Sequence, residues 1–200
     1  TFDDGPHYTV TPRILDILQE HNARATFFVL GNRVDNFPNI IQREYSQGHE
    51  IGSHSFSHPQ ITTLTSDEIE YQFAETEHRI QQYVPYTTKL VRPPYGQITQ
   101  SLKEVLQKTF VLWSIDTQDW KTRDKDAIVS EVLNNVKDGD IILMHDMYST
   151  TADACEELIP ALIERGYQLV TVSELLNAKE ITPVAGSVYS RVLSTGNAAS

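Results

Sequence analysis

The chain has 200 residues, 40% of them hydrophobic, with 16 basic against 27 acidic side chains and a formal net charge of −11. That length is one domain of ordinary size with enough apolar side chain for a core. The acidity leaves no basic stripe to neutralise phosphates, which argues against a nucleic-acid or anionic-membrane partner, and no apolar run reaches the roughly 18 residues of a membrane span.

The chain opens at Thr1-Phe2-Asp3-Asp4, the end of a first strand that reads as truncated. It has no starting Met and no signal peptide, as in a processed or truncated segment of something longer. Asp3 and Asp4 precede Gly5-Pro6, a turn signal. On an extended backbone the two carboxylates point to opposite sides, so one can bind a metal while the other faces substrate. Taken alone, the segment reads as a solvated turn. Thr11-Pro12 reads as the N-cap and first-turn proline of a helix with Ile14, Leu15, Ile17 and Leu18 inward.

Strands are predicted at 25–30 and 49–54. The second runs into Gly52-Ser53-His54-Ser55-Phe56-Ser57-His58-Pro59. His54 and His58 are four apart, which places them on one face of a helical turn that Pro59 ends, where they can share a metal. With one carboxylate they make the ligand set of many catalytic zinc sites and of iron oxygenases. Thr65 and Glu68 form a capping box before a helix carrying Ile69, Phe73 and Ile80.

A strand at 89–92 ends in Arg92-Pro93-Pro94-Tyr95-Gly96. The prolines stiffen this loop, Arg92 can hold a carboxylate in a bidentate pair, and the Tyr95 N–H can point at a developing oxyanion. A strand at 110–115 leads to Asp116-Thr117-Gln118-Asp119-Trp120, an acid beside a sugar-stacking or pocket-wall surface. Asp124 or Asp126 opens the next helix, with Ile128, Val132, Leu133 and Val136 apolar. A strand at 140–145 ends in His145, a third histidine at the same end. A helix through Cys155, Leu158, Ile159, Leu162 and Ile163 stops at Gly166. Cys155, the one cysteine, reads as a small core hydrophobe and leaves the redox compartment open. A last strand is predicted at 167–172. The segment 179–200, rich in Ser, Ala, Gly and Thr, reads as a strap or flexible end behind a domain at 1–178.

Strand alternating with helix implies parallel strands joined by right-handed crossovers. Seven strands either close into a barrel or stay open and doubly wound. The polar clusters all follow strands, where parallel α/β barrels place their chemistry.

Taken in order, Thr1-Phe2-Asp3-Asp4-Gly5-Pro6, His54-Ser55-Phe56-Ser57-His58, Arg92-Pro93-Pro94-Tyr95, Asp116-Thr117-Gln118-Asp119-Trp120 and Leu143-Met144-His145 resemble the polysaccharide deacetylase family, also called the NodB-homology or carbohydrate esterase family 4 domain. The resemblance covers positions 1 to about 172. It implies an α/β fold, a distorted (β/α)7 barrel. It also implies a full hydrophobic strand before Thr1, which this sequence lacks, so an open barrel edge is expected there.

The resemblance further implies that Asp4, His54 and His58 bind a divalent metal, zinc or else cobalt or another ion. Asp3 would be the general base, tethered by Arg92. The Tyr95 N–H and the metal would stabilise the oxyanion. His145 would be the general acid, oriented and charged by Asp119, and Trp120, Leu143 and Pro94 would shape the acetyl pocket. The implied activity is hydrolytic deacetylation of an acetylated polysaccharide or oligosaccharide. The loops look most like those of peptidoglycan N-acetylglucosamine deacetylases, while acetylxylan esterases and chitooligosaccharide deacetylases share nearly all of these residues. Such substrates imply an extracellular or cell-surface location. A non-catalytic sugar-binding relative and an iron oxygenase are the competing readings. Retention of Asp3, His54, His58 and His145 speaks against the first, and the extra base with its arginine tether against the second.

Overall fold

The computed structural model describes residues 1–193. Its strands are β1 (Phe2–Asp3), β2 (Thr26–Val29), β3 (Glu50–Ser53), β4 (Leu90–Val91), β5 (Thr109–Val111), β6 (Ile115–Asp116), β7 (Ile142–His145) and β8 (Val188–Tyr189). They form one sheet in the order β6-β7-β1-β2-β3-β4-β5-β8, and every pair of neighbours is parallel. Around it lie α1 (Val10–Glu20), α2 (Gly31–Val34), α3 (Pro38–Ser46), α4 (Ser66–Gln81), α5 (Gln100–Leu106), α6 (Asp119–Thr122), α7 (Lys125–Asn135), α8 (Ser149–Glu164) and α9 (Val172–Ala178). The sheet curls into a distorted (β/α) barrel.

Alternation along each strand sends neighbouring side chains to opposite faces. Phe27 packs outward with Ile14, Leu15 and Ile51 under the helices, whereas Phe28 packs inward with Leu90, Val111, Val172, Leu176 and Val192. Val91 and Phe110 face out again, against Ile69 and Phe73 of α4 and Leu102 of α5. Both faces are covered, which is why these strands read as unbroken apolar runs.

Three sequence expectations change. The predicted strand at 110–115 is two strands, because the chain changes neighbours inside it: Leu112 N–H donates to Tyr189 beyond β5, and Ser114 N–H to Ile141 before β7. The predicted strand at 167–172 is irregular up to Thr171, whose capping box with Glu174 opens α9 instead. The Val172 and Ser173 N–H groups then donate to the Thr26 hydroxyl and the Glu50 carboxylate, so β2 and β3 hold that helix end. Thr11 is not an N-cap: α1 starts at Val10, and the buried Thr11 hydroxyl bonds Asp146 at 2.5 Å.

The expected open edge at the first strand is absent. β1 is short, but it lies between β7 and β2 and pairs with both. The gap between the sheet's ends is bridged by the segment after β8. Arg191 pairs antiparallel with Asp140 and makes an ion pair with it, and Val192 N–H donates to Gly139. Gly139, at φ +86, has the Val192 carbonyl 1.9 Å from where a Cβ would stand, so only glycine admits the strap. Of the segment 179–200, residues 194–200 lie outside the described residues.

Candidate active site

The parallel register brings the polar residues together at the C-terminal ends of the strands. Asp3 on β1 stands beside His145 on β7, and Ser53, the last residue of β3, stands beside Val91 of β4, so His54 and Arg92 emerge next to each other. Asp3, Asp4, His54, His58, Tyr95, Trp120, Leu143 and His145 line one cleft of about 370 Å³, together with Trp113, Asp116 and Tyr148.

Left-handed backbone shapes this rim. Asp4 (φ +72), Ser55 (+81), His58 (+60), Tyr95 (+58), Gln118 (+52) and Arg123 (+51) all lie where L-residues are rarely held. The conformation of Asp4 corrects the expectation that the paired acids diverge. Asp4 turns back, and its Oδ1 lies 3.5 Å from His54 Nε2 while Asp3 Oδ2 lies 3.8 Å from the same nitrogen. At the next residue, Gly5, a Cβ would fall 2.2 Å from the Asp146 carboxylate, so only glycine fits there. His54 and His58 likewise meet without a helical turn. The segment after β3 is irregular, and left-handed Ser55 and His58, with the Ser55 hydroxyl accepting the His58 N–H at 3.0 Å, bring the two rings to 5.1 Å.

Asp4, His54 and His58 form the arrangement a metal ion needs. Asp4 Oδ1 is 3.5 Å from both His54 Nε2 and His58 Nε2, is buried, and has no hydrogen-bond partner. His54 Nδ1 faces the Arg92 carbonyl at 2.6 Å. A carbonyl only accepts, so the proton is on Nδ1 and the Nε2 lone pair points into the site. Burial, then the neighbouring His54 ring, lowers the His58 pKa. Lone pairs and a carboxylate oxygen facing one another repel unless a cation lies between them. Ligands about 2.0–2.1 Å from a tetrahedral ion lie about 3.4 Å apart, which matches the observed spacing. The residues present therefore fit a divalent metal.

Arg92 is fully buried and spends its donors on Asp3 Oδ1 (2.7 Å), the Thr1 hydroxyl (2.8 Å) and the carbonyls of Val111 and Leu112, with Phe28 under its face at 4.3 Å. Burial alone would raise the Asp3 carboxyl, but Arg92, His54 and His145 outweigh it and hold Asp3 below its ordinary pKa. His145 is tuned the other way. Burial opposes its charge, yet the hydrogen bond and charge of Asp119, with Asp3 and Asp4 behind, push it up to about 9. Asp119 is completely buried and fully satisfied: Oδ1 accepts from His145 Nδ1 (2.7 Å) and Trp120 N–H (2.8 Å), Oδ2 from His145 N–H and the Thr151 hydroxyl (both 2.7 Å).

Of the expected pocket residues, Trp120 and Leu143 line the cleft, and Thr117 pins the Leu143 carbonyl at 2.8 Å. Pro94 does not. It is buried as the first residue of a single 3₁₀ turn, Pro94–Gly96, and left-handed Tyr95 swings its own ring outward against His58, centroids 4.7 Å apart. Sequence reasoning missed Trp113, Tyr148 and Thr151. Tyr148, three residues past His145, was the most findable, since the chain after a barrel strand must cross the same mouth. Cys155 is buried and its thiol is pushed up to about 12, so it is inert.

The polysaccharide deacetylase family profile matches residues 1–111. The chain is 46% identical over 180 residues to the peptidoglycan-N-acetylmuramic acid deacetylase PdaC of Bacillus subtilis, covering 90% of this chain and 38% of that protein. It is 41% identical over 179 residues to the peptidoglycan-N-acetylglucosamine deacetylase PgdA of Listeria monocytogenes, with the same coverage. The chain thus spans 38% of the length of these two relatives. A family 4 acetyl xylan esterase from Clostridium thermocellum, solved with a cobalt ion, superposes with a TM-score of 0.91 at 36% identity over 96% of both chains. With sequence, fold and the order of the strand-end residues in agreement, the chain belongs to the polysaccharide deacetylase family.

Proposed function

We propose that this chain is a metal-dependent hydrolase that removes acetyl groups from amino sugars of a cell-wall polymer, N-acetylglucosamine units of peptidoglycan or a chitin-like oligomer. One observation carries the reading. A triad that fits a metal shares its cleft with two groups on adjacent strands, Asp3 and His145, which the fold drives toward opposite protonation states.

A divalent ion on Asp4, His54 and His58, zinc by the nitrogen and oxygen donors, would supply Lewis acidity and lower the pKa of water from ~16 toward roughly 7. Asp3, held ionised by Arg92, takes a proton from water as its oxygen attacks the acetyl carbonyl carbon. The Tyr95 N–H donates to the carbonyl oxygen as that oxygen becomes an anion. His145 then protonates the leaving nitrogen, the C–N bond breaks, and a free amine departs with acetic acid, which gives its remaining proton to solvent and becomes acetate. Asp3 loses its proton to solvent and His145 regains one, which restores both. Trp120 and Leu143 enclose the methyl group. A cell-wall substrate places the protein outside the cytoplasm or at the cell surface. Among the described residues no helix is long and apolar enough to cross a membrane.

O-deacetylation of xylan is the second reading, favoured by the fit to the xylan esterase structure. Acetate release from peptidoglycan, N-acetylglucosamine oligomers and acetylated xylan, measured side by side, separates the two. Release from the amino-sugar polymers is expected. Release from xylan alone would keep the chemistry and overturn the substrate.

A further inference from the structure

Thr11 has a buried hydroxyl that neither caps α1 nor takes part in the reaction above. It accepts the His7 N–H at 2.7 Å and donates to Asp146 Oδ2 at 2.5 Å. A hydroxyl carries one proton and two lone pairs, so both bonds are made at once. The first is local and closes the turn that leads from Asp4 into α1. The second reaches the neighbouring strand end, at the residue directly after His145. Asp146 is buried there, and its N–H adds a longer bond to the Asp3 carbonyl, 3.3 Å. Its carboxylate lies so close to Gly5 that no side chain fits between them.

The three side chains that fit a metal are not held equally. His54 is oriented by its Nδ1 bond to the Arg92 carbonyl, and His58 is tied through its N–H to the Ser55 hydroxyl. Asp4 Oδ1 has no hydrogen-bond partner, so its place rests on the backbone. That backbone is left-handed at Asp4, a conformation that persists in an L-residue only where its surroundings impose it. Beyond Asp4 the turn is anchored at two points, the Gly5 carbonyl, which accepts the Leu30 N–H at 2.9 Å, and the Thr11 bridge.

We propose that Thr11 is a positioning residue for the metal ligand Asp4. Its hydroxyl, bridging the His7 N–H and the Asp146 carboxylate, locks the Asp4–His7 turn to the strand end that carries His145. One buried hydroxyl then sets the ligand and the acid at a fixed spacing, although it touches neither. The proposal rests on the metal reading above and deepens it. Both partners of the bridge are buried, so bulk water does not compete for it.

Three substitutions separate the hydroxyl from the packing. Thr11→Val keeps the shape and loses the hydroxyl, Thr11→Ala loses hydroxyl and methyl, and Thr11→Ser loses the methyl alone. Each chain is stripped of metal, and its zinc dissociation constant is measured by competition with a chromophoric chelator. The visible absorption of the cobalt-loaded chain reports the geometry of the ligands. The expected result is zinc binding about tenfold weaker in Thr11→Val and Thr11→Ala, as when an outer support of a metal ligand is lost, with an altered cobalt spectrum. Thr11→Ser should recover most of the affinity and the wild-type spectrum. The Ala and Ser variants differ only in the hydroxyl, so that pair decides the matter even if Thr11→Val fails to fold. Zinc affinity in Thr11→Ser as weak as in Thr11→Ala would mean that packing alone is at work, and overturns the proposal. Wild-type affinity and spectrum in Thr11→Ala overturn it as well. A wild-type chain that binds no zinc overturns the metal reading itself, and this proposal with it.

Discussion

Asp3→Asn is expected to keep one metal per chain and lose about 100- to 10,000-fold in turnover. The substitution is nearly isosteric, and the amide oxygen still accepts from Arg92, so the 2.7 Å contact and the packing around it survive. What disappears is a carboxylate that the fold keeps ionised against burial. Asparagine cannot take a proton from water at neutral pH. The measurement is kcat on an N-acetylglucosamine oligomer beside metal content by elemental analysis. Turnover within tenfold of wild type at full metal content would assign the base elsewhere. The same pairing sets a stability window. The Asp3 pKa is lowered in the fold, so its ion pair contributes stability above the ordinary carboxylate range and loses it as pH falls through the lowered folded value.

His145→Ala is expected to bind metal normally and to lose a similar factor on amide substrates, with a much smaller loss on activated acetyl esters. An amine departs only once protonated, whereas an activated phenoxide leaves without help. Equal losses on both substrates would remove His145 from leaving-group protonation. The acid must be charged to act, and its pKa lies at about 9, so activity should fall as pH rises through that value. A bound dication offsets the contribution of Asp3 and Asp4 and moves this limb below 9. In Asp119→Asn the largest raising contribution goes, and the limb should drift toward the ordinary histidine value of roughly 6.5. In the metal-free chain the His145–Asp119 pair contributes stability that is complete below about pH 6.5 and lost as pH rises through about 9.

The residue types of the site were legible because they follow apolar strands, and parallel barrels gather strand ends on one face. The geometry that makes them a site was not. Asp3 and Asp4 read as diverging because extended backbone alternates, and His54 and His58 read as a helical pair because four-residue spacing suits a helix. In both cases left-handed residues, Asp4, Ser55 and His58, decide the matter, and nothing local in the side chains announces them. Pro94 fails for the same reason, since Tyr95 turns at φ +58 and takes the place at the cleft that its neighbour was given. In the fold, β2 and β7 were plain as apolar runs. β8 and the Arg191–Asp140 bridge were hidden in a polar, small-residue segment that is held by backbone pairing and by the space Gly139 leaves. The segment 167–172 has a strand's composition, but its Thr-x-x-Glu cap opens a helix first.

The mechanism proposed here stands on Asp4, His54 and His58 holding a catalytic divalent ion. Acetate release from peptidoglycan tests it directly, followed as the chain is stripped by chelator and then titrated with zinc or cobalt, with His58→Ala in parallel. Chelator is expected to abolish release, one ion per chain to restore it, and His58→Ala to bind the ion weakly and recover little. Release that persists in the stripped chain, or full metal content and turnover in His58→Ala, would contradict it.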